Sequence, residues 1–186
     1  MAVDAFLKFS AGGKACPLGE TQDSLYQKCF EIKDFSFGIE APHSIGSATG
    51  GAGAGKAKFN EFTIKKTTDK SSPIFFKALG SGIHYPKAQV YIRKAGGDPN
   101  STGKAYLVYT FGLVFVTKID WSGPGDEGPE ESITFAYAQL HVGYWAQDST
   151  GARQGPQAVA GWDVQKNKSW DDAGGTDTTG DKVLTD

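Results

Sequence analysis

The protein has 186 residues, which predicts one compact domain, and its 39% hydrophobic content is enough for one core. A formal net charge of -2 argues against a globally basic nucleic-acid binder, and no apolar run is long enough to predict a membrane-spanning helix. The 25 glycines follow no collagen-like period, so we expect them in turns and loops.

The chain begins with two predicted strands, which are separated by a polar segment from Gly12 to Lys28 that we call the excursion. Apolar residues alternate from Val3 to Phe9, which predicts an opening strand. A second strand is expected from Cys29 to Ile39, and a change of apolar phase within it indicates a bulge or a strong twist. Cys16 and Cys29 are the only two cysteines, and we expect free thiols, with a bridge between them as the alternative.

A long glycine-rich connection and one helix follow. Residues 42–56 predict a loop, and a loop of this length in a compact domain is usually functional or disordered. A strand is expected from Ala57 to Lys66. Ser72 is a suitable helix N-cap, Pro73 suits the first helical position, and Gly80 predicts the end of a two-turn helix.

The remaining chain predicts four more strands, so the fold class is mostly β. These strands are expected at Ala88–Ala95, Tyr106–Ile119, Ser132–Trp145 and about Val159–Gln165.

The two longest of these strands carry apolar residues on both faces. An antiparallel sheet with one face in water shows regular apolar and polar alternation, so the second face needs a cover. With one short helix available, we expect another subunit to supply it, while the alternative is a sandwich that covers both faces with its own chain. The candidate interface residues are Tyr109, Phe111, Phe115, Phe135 and Tyr137.

No catalytic or metal site stands out. Gly50 to Lys56 contains the glycines and lysine of a phosphate-binding loop, but Ala57 stands where the motif needs serine or threonine. A strand rather than a helix is expected next, so the helix N-terminus that would bind phosphate is missing. The histidines and neighbouring carboxylates have no metal-ligand or acid–base spacing. We therefore predict a protein that is not an enzyme and binds no cofactor.

An alternative function of another class is a monomeric β-sandwich that binds carbohydrate. Exposed aromatic side chains form such sites, and Trp121, Trp145 and Trp162 are the candidates. Packing in the core or in an interface is the other interpretation of these tryptophans. The two functions differ in copy number, which light scattering measures.

Several short segments occur together in an order that resembles a known family. They are the opening Met-Ala-Val-Asp-x-Phe-Leu-Lys, Gly53-Ala-Gly-Lys56, Asp69-Lys-Ser-Ser-Pro73, His84, Ile92-Arg-Lys-Ala-Gly-Gly97, Gly161-Trp-Asp163 and Asn167-Lys168. Together they are similar to the haemolysin-coregulated protein (Hcp) family, the tube subunits of bacterial type VI secretion systems. The resemblance covers about residues 1–168.

The resemblance implies a compact two-sheet antiparallel β-barrel with one short helix at its side. It also implies a homohexameric ring, stacked head to tail into a tube inside a contractile sheath. The expected partners are further copies of the chain, spike proteins at the tube tip, sheath, baseplate and small effector proteins in the lumen, with no nucleic acid and no membrane insertion. Export would follow assembly in the cytoplasm and would need no signal peptide.

The family resemblance gives residues 42–56 a possible role in stacking. Glycine allows close backbone approach, and Lys56 opens a basic stretch that could face acidic residues of the next ring. The candidate stacking residues are Ser44, Gly50, Gly51, Gly53, Gly55 and Lys56. Residues 1–168 are expected to form the β-domain, and residues 169–186 a polar, disordered tail that is too short for a fused toxin.

Overall fold

The computed structural model describes residues 3–10, 16–41, 43–44, 53–54, 56–94, 103–125, 128–149 and 151–171. One α-helix, α1, spans Ser72–Ser81. The strands are β1 (Val3–Phe9), β2 (Phe30–Glu31), β3 (Asp34–Ser36), β4 (Ile39–Glu40), β5 (His43–Ser44), β6 (Gly53–Ala54), β7 (Lys58–Phe59), β8 (Phe62–Thr67), β9 (His84–Lys94), β10 (Leu107–Gly125), β11 (Gly128–Gln147), β12 (Arg153–Asp163) and β13 (Lys168–Ser169). The predicted fold class, mostly β with one short helix, is confirmed.

Nine of the strands form one antiparallel sheet that wraps around the core. Its path runs β13-β12-β11-β10-β9-β1-β2, while β8 pairs with the first half of β11 and with β3. The Ile32 amide donates to the Ala5 carbonyl at 3.0 Å, and the Lys33 amide donates to the Lys65 carbonyl at 2.8 Å. Residues 30–36 therefore connect β1 to β8 around the core, although the strand ladders stop short of a closed barrel.

Three neighbouring strands change phase at the same level of the sheet. In β10 the core-facing residues include Phe111 and then Val114, which are three positions apart instead of two, and Leu113 between them has a φ of +52°. Phe111 pairs with Leu140 and Val114 pairs with Tyr137, so β11 changes phase beside it without losing register. In β9 the matching core residues are Tyr85 and Ala88.

This change of phase corrects the sequence interpretation of the two-faced strands. Val114 and Val116, which simple alternation assigns to the second face, point into the same core as Phe111. Phe115 therefore lies on the opposite, outer side. Much of the apparent second apolar face is one face followed through a phase change, because a single skipped residue exchanges the two sides of a strand.

The chain itself covers the apolar part of the outer face. Tyr26, from the excursion between β1 and β2, and Cys29, directly after it, are buried against the outer side of the sheet. The Tyr26 ring stacks on Phe6 with centroids 4.5 Å apart. Around Val108 the alternative of a chain that covers both faces therefore holds, and no second molecule is needed as a cover in this region. The members of this second cluster are Phe6, Tyr26, Cys29, Tyr91, Ala105 and Val108.

The helix is two residues longer at its C-terminal end than predicted, and its N-cap lies one residue earlier. Ser71 is the N-cap, while the Ser72 hydroxyl accepts a hydrogen bond from the Asp69 amide at 3.1 Å. Gly80 stays helical, and Gly82 ends the helix at a φ of +65°. Glycine is suited to this left-handed C-cap because it has no Cβ.

The connection predicted as a loop over residues 42–56 contains strand pairing. β4 pairs with β7, and β5 pairs with β6, so the described residues of this connection form antiparallel strand pairs, which we call the ribbon. At the other end of the chain, pairing continues past the predicted boundary at residue 168. Ser169 pairs with Trp162, and the Trp170 amide donates to the Gly161 carbonyl at 2.9 Å.

Candidate assembly surfaces

The five aromatic residues predicted at an interface lie in different surroundings. Phe111 and Phe135 have no exposed surface and form the centre of the core, so their side chains are unavailable for contact between protomers. Tyr109 and Tyr137 are half-buried at the margin of the same core. Phe115 is half-buried on the outer side, with its ring 5.4 Å from His84. The structure therefore does not bring the five together as one surface.

Three of the six predicted stacking residues lie in the described part of the chain. Ser44 pairs with Gly53 across β5 and β6, and Lys56 is exposed before β7. Gly50, Gly51 and Gly55 lie outside the described residues. A strand follows Lys56 instead of a helix, in agreement with the rejection of a phosphate-binding loop.

An uncovered apolar face lies on β12 and the end of β11. Trp162 pairs with the core residue Leu140, so both side chains lie on the same face of the sheet. Further along β12, Ala160 and Ala158 share that face and are exposed, with Tyr144 beside them on β11. The exposed fractions are 38% for Trp162 and 47% for Tyr144. This face continues the core-facing side of the sheet beyond the part that the protomer covers.

The outer edge of β12 is largely unpaired in the described part of the chain. β13 pairs only with Trp162 and Asp163, at the end of β12. Unpaired strand edges favour pairing or contact with another chain. The sequence signal for this surface was weak, because β12 was predicted to begin at Val159, whereas it begins at Arg153.

A second exposed aromatic surface lies on α1 and β10. Phe76 on α1 is 61% exposed, and Trp121 on β10 is 54% exposed, with their ring centroids 6.2 Å apart. The Trp121 Nε1 donates to the Glu131 Oε2 at 3.1 Å. This hydrogen bond orients the indole while leaving much of the ring in solvent.

Glu131 belongs to a buried charged network that fixes the start of the helix. The Lys66 Nζ lies 2.7 Å from the Glu131 Oε1 and 2.9 Å from the Asp69 Oδ1. The Ser72 hydroxyl donates to the Glu131 Oε1 at 2.7 Å. Lys66 and Glu131 are each only 1% exposed. The network joins β8, α1 and β11. Two of its members, Asp69 and Ser72, belong to the segment Asp69 to Pro73 that carried part of the family resemblance.

A second charged cluster attaches the excursion to the sheet. The Arg93 Nε lies 3.0 Å from the Asp4 Oδ2, and its Nη2 contacts the Asp23 carboxylate. The Arg93 guanidinium also lies 5.3 Å from the centre of the Tyr26 ring. Burial raises the pKa of Asp23, but hydrogen bonds from the Leu25 amide and from Arg93 outweigh it and hold that pKa below its ordinary value of 3.8.

The three tryptophans proposed as a sugar platform have separate surroundings. Trp121 lies beside the helix, and Trp162 lies on β12. Trp145 is covered by the Arg153 guanidinium, 3.7 Å from the ring centre. No ring contact joins any two of the three, all of which lie in the described part of the chain. This arrangement gives no shared stacking surface for a carbohydrate.

Neither metal-binding groups nor membrane helices are found in the described ranges. There, no three histidine, cysteine or acidic side chains lie close enough to bind a metal ion. The described helix is also too short to cross a bilayer. Cys16 and Cys29 are not joined by a disulfide, and burial raises the pKa of Cys29 to about 12.

Comparison with known proteins identifies the family. The family model "Type VI secretion system effector, Hcp" matches residues 6–144. The chain is 35% identical over 113 residues to protein hcp1 of Pseudomonas aeruginosa, covering 60% of this chain and 68% of that protein.

Solved structures agree in fold over most of the chain. A structure described as a type six secretion system protein has a TM-score of 0.79 at 28% identity, covering 91% of this chain and all of that one. Hcp1 from Salmonella typhimurium has a TM-score of 0.71 at 26% identity, with the same coverage. The chain therefore belongs to the Hcp family and is a structural tube subunit of a type VI secretion system, not a carbohydrate-binding module.

Proposed function

We propose that this chain assembles into a closed homohexameric ring whose protomers meet head to tail. The observation that carries the proposal is the uncovered apolar face formed by Tyr144, Ala158, Ala160 and Trp162. Large exposed apolar patches are typical of protein contacts, and this one lies beside an unpaired strand edge. A closed ring needs such a surface to meet a different surface of the next protomer.

Native mass spectrometry of the full chain tests the ring. We expect a species of six copies of the 19.8 kDa chain. A stable monomer at all concentrations would overturn the assembly, even if the family assignment stands.

A charge at the centre of the apolar face should break the ring. Trp162→Glu places a carboxylate where an apolar contact is proposed, so we expect monomers in place of rings. Trp162→Phe keeps an apolar ring and should retain assembly. Gln165→Glu adds the same charge in the exposed turn after β12 and serves as the matched control. Intact rings in Trp162→Glu would show that another surface makes the contact.

We further propose that the ribbon, formed by β4 to β7, makes the contact between stacked rings. The support is the antiparallel pairing of these strands and the exposed Lys56 directly before β7. Deleting Gly50 to Gly53 should leave the rings intact and prevent stacking. Tubes of unchanged length in electron micrographs would contradict this role.

The remaining features of the proposal follow from the family. The stacked rings would form a conduit that holds small effector proteins in its lumen, inside a sheath and below a spike, with assembly in the cytoplasm followed by export. The subunit would act through shape and contact strength rather than catalysis. Residues 172–186, the rest of the predicted polar tail, lie outside the described residues.

A further inference from the structure

The last described residues fold back over the edge of the sheet. Ser169 pairs with Trp162 on β12, and the Trp170 amide donates to the Gly161 carbonyl at 2.9 Å. In return, the Gly161 amide donates to the Asp171 Oδ1 at 3.3 Å. We call residues 168–171 the C-terminal latch.

The latch lies directly against His141 of β11. A Cβ at Gly161 would be 2.1 Å from the Trp170 carbonyl oxygen and 3.2 Å from the His141 Cδ2. Only a glycine at this position leaves room for the latch to cross. Because Gly161 pairs with His141 across the two strands, the latch covers the imidazole.

His141 has an unusual environment for a titratable side chain. It is 4% exposed, and its Nε2 has no hydrogen-bond partner. Thr110 is its neighbour on β10, and its charged neighbours are Lys87 of β9 and Asp171 of the latch. Asp163 of β12 is turned toward Gln139, which donates to its carboxylate at 2.7 Å.

The surroundings favour a neutral imidazole. Burial lowers the pKa of His141 below its ordinary value of 6.5, and Lys87 acts in the same direction, while Asp171 opposes both. The Asp171 carboxylate and a hydrogen bond to the Asp171 backbone favour the protonated form, but burial outweighs them, because a charge in a buried position is costly.

We propose that His141 is a proton-sensitive lock for the C-terminal latch, closed when the imidazole is neutral and opened by its protonation. Opening lets the imidazolium reach water. It also frees Asp171, and it exposes the edge of β12 at Gly161. This switch goes beyond the proposed tube function, since a single protomer contains all of its parts.

The direction of the pH effect follows from linkage. The open latch binds the proton more tightly than the closed latch, because the pKa of His141 is lowered only in the closed form. Lowering the pH therefore favours opening. The effect begins near the ordinary pKa of 6.5 and ends once the pH is below the lowered pKa of His141 in the closed latch. In that window the opening constant should rise by up to about tenfold per pH unit, since one proton is taken up.

Hydrogen exchange of the full chain tests this switch. The amides of Gly161 and Trp170 should lose protection between pH 7.5 and pH 5.5, after correction for intrinsic exchange. His141→Asn retains a polar side chain that does not titrate, so its latch protection should be independent of pH. His84→Asn, at the exposed start of β9, should behave as the unchanged protein.

Two results would overturn the proposal. One is latch protection in the unchanged protein that is equal at both pH values, and the other is a pH dependence that persists in His141→Asn. If that variant fails to fold, a nuclear magnetic resonance titration of the unchanged chain decides. The His141 ring signal should then titrate below 6.5 together with the loss of latch protection, and a separate transition would contradict the lock.

Discussion

At the scale of single residues, buried charge holds the helix to the sheet. Lys66 contacts both Glu131 and Asp69, and Glu131 also accepts hydrogen bonds from Ser72 and Trp121. A buried charge is tolerated only when its polar atoms are satisfied. Each member of this network therefore depends on the others.

Replacing Lys66 by methionine should strongly destabilise the fold. The change leaves the Glu131 carboxylate buried without its cation, and the free energy of unfolding should fall by about 3–5 kcal/mol. Urea unfolding at fixed protein concentration measures the loss. Lys65→Met is the matched control, because Lys65 is exposed and its nitrogen lies 3.9 Å from Asp34, so its effect should be below about 1 kcal/mol. Equal effects of both changes would contradict the role of the network.

Two glycines should respond in opposite ways to alanine. A Cβ at Gly19 would lie 1.9 Å from the Cys29 carbonyl oxygen, so Gly19→Ala should lower the unfolding free energy by about 1–3 kcal/mol, as overpacking does. Gly80 lies in the helix with no atom within 4 Å of the added Cβ, so Gly80→Ala should raise the same quantity by roughly 0.5–1 kcal/mol. Chemical unfolding measures both, and a stabilising Gly19→Ala would contradict the close approach.

At the scale of elements, the excursion between β1 and β2 covers the outer side of the sheet. Its attachment combines the stacking of Tyr26 on Phe6 with the contact between Arg93 and Asp23. Neither of these two contacts involves a residue of the main core. This cover should therefore come loose before the barrel-like sheet does.

The attachment of the excursion should depend on acid. The pKa of Asp23 is lowered in the fold, so its contribution to stability is present above the ordinary value of 3.8 and is lost as the pH falls through the lowered value. The amides of Leu25 and Tyr26, which donate to Asp23, should lose exchange protection in that range. Asp23→Asn should show weak protection already at pH 7, whereas Asp34→Asn, on an exposed strand, should match the unchanged protein. Full protection in Asp23→Asn would contradict this attachment.

At the scale of the whole molecule, assembly should contribute to thermal stability. A partner that binds only the folded chain raises its stability by mass action. The apparent Tm should rise by roughly 3–5 °C per tenfold increase in protein concentration above the dissociation range. Calorimetry over a concentration series measures this slope. Trp162→Glu should remove the slope, and a concentration-dependent Tm in that variant would contradict the assignment of the interface to β12.

Local patterns in the sequence were sufficient for the fold class, the helix and the family. Alternation predicted β1 and the central parts of β9, β10 and β11, because on each side of the phase change residues two positions apart share a face. Pro73 predicted the start of α1 to within one residue, since proline fits the first helical turn. The rejection of a phosphate-binding loop also needed only the residues around Lys56.

Contacts between distant residues decided the rest. The phase change at Leu113 is shared by three strands and leaves no mark that one strand can show by itself, so the two-faced interpretation placed Val114 and Phe115 on the wrong sides. The outer cover depends on Tyr26 meeting Phe6 across the fold. Trp162 is exposed because the side chains that cover the core-facing side of the sheet do not extend as far as β12. Sequence alone determined the helix and the long strands, because their periodicity is local, and the tertiary structure determined which faces remain open, because covering a face requires residues far apart in the chain.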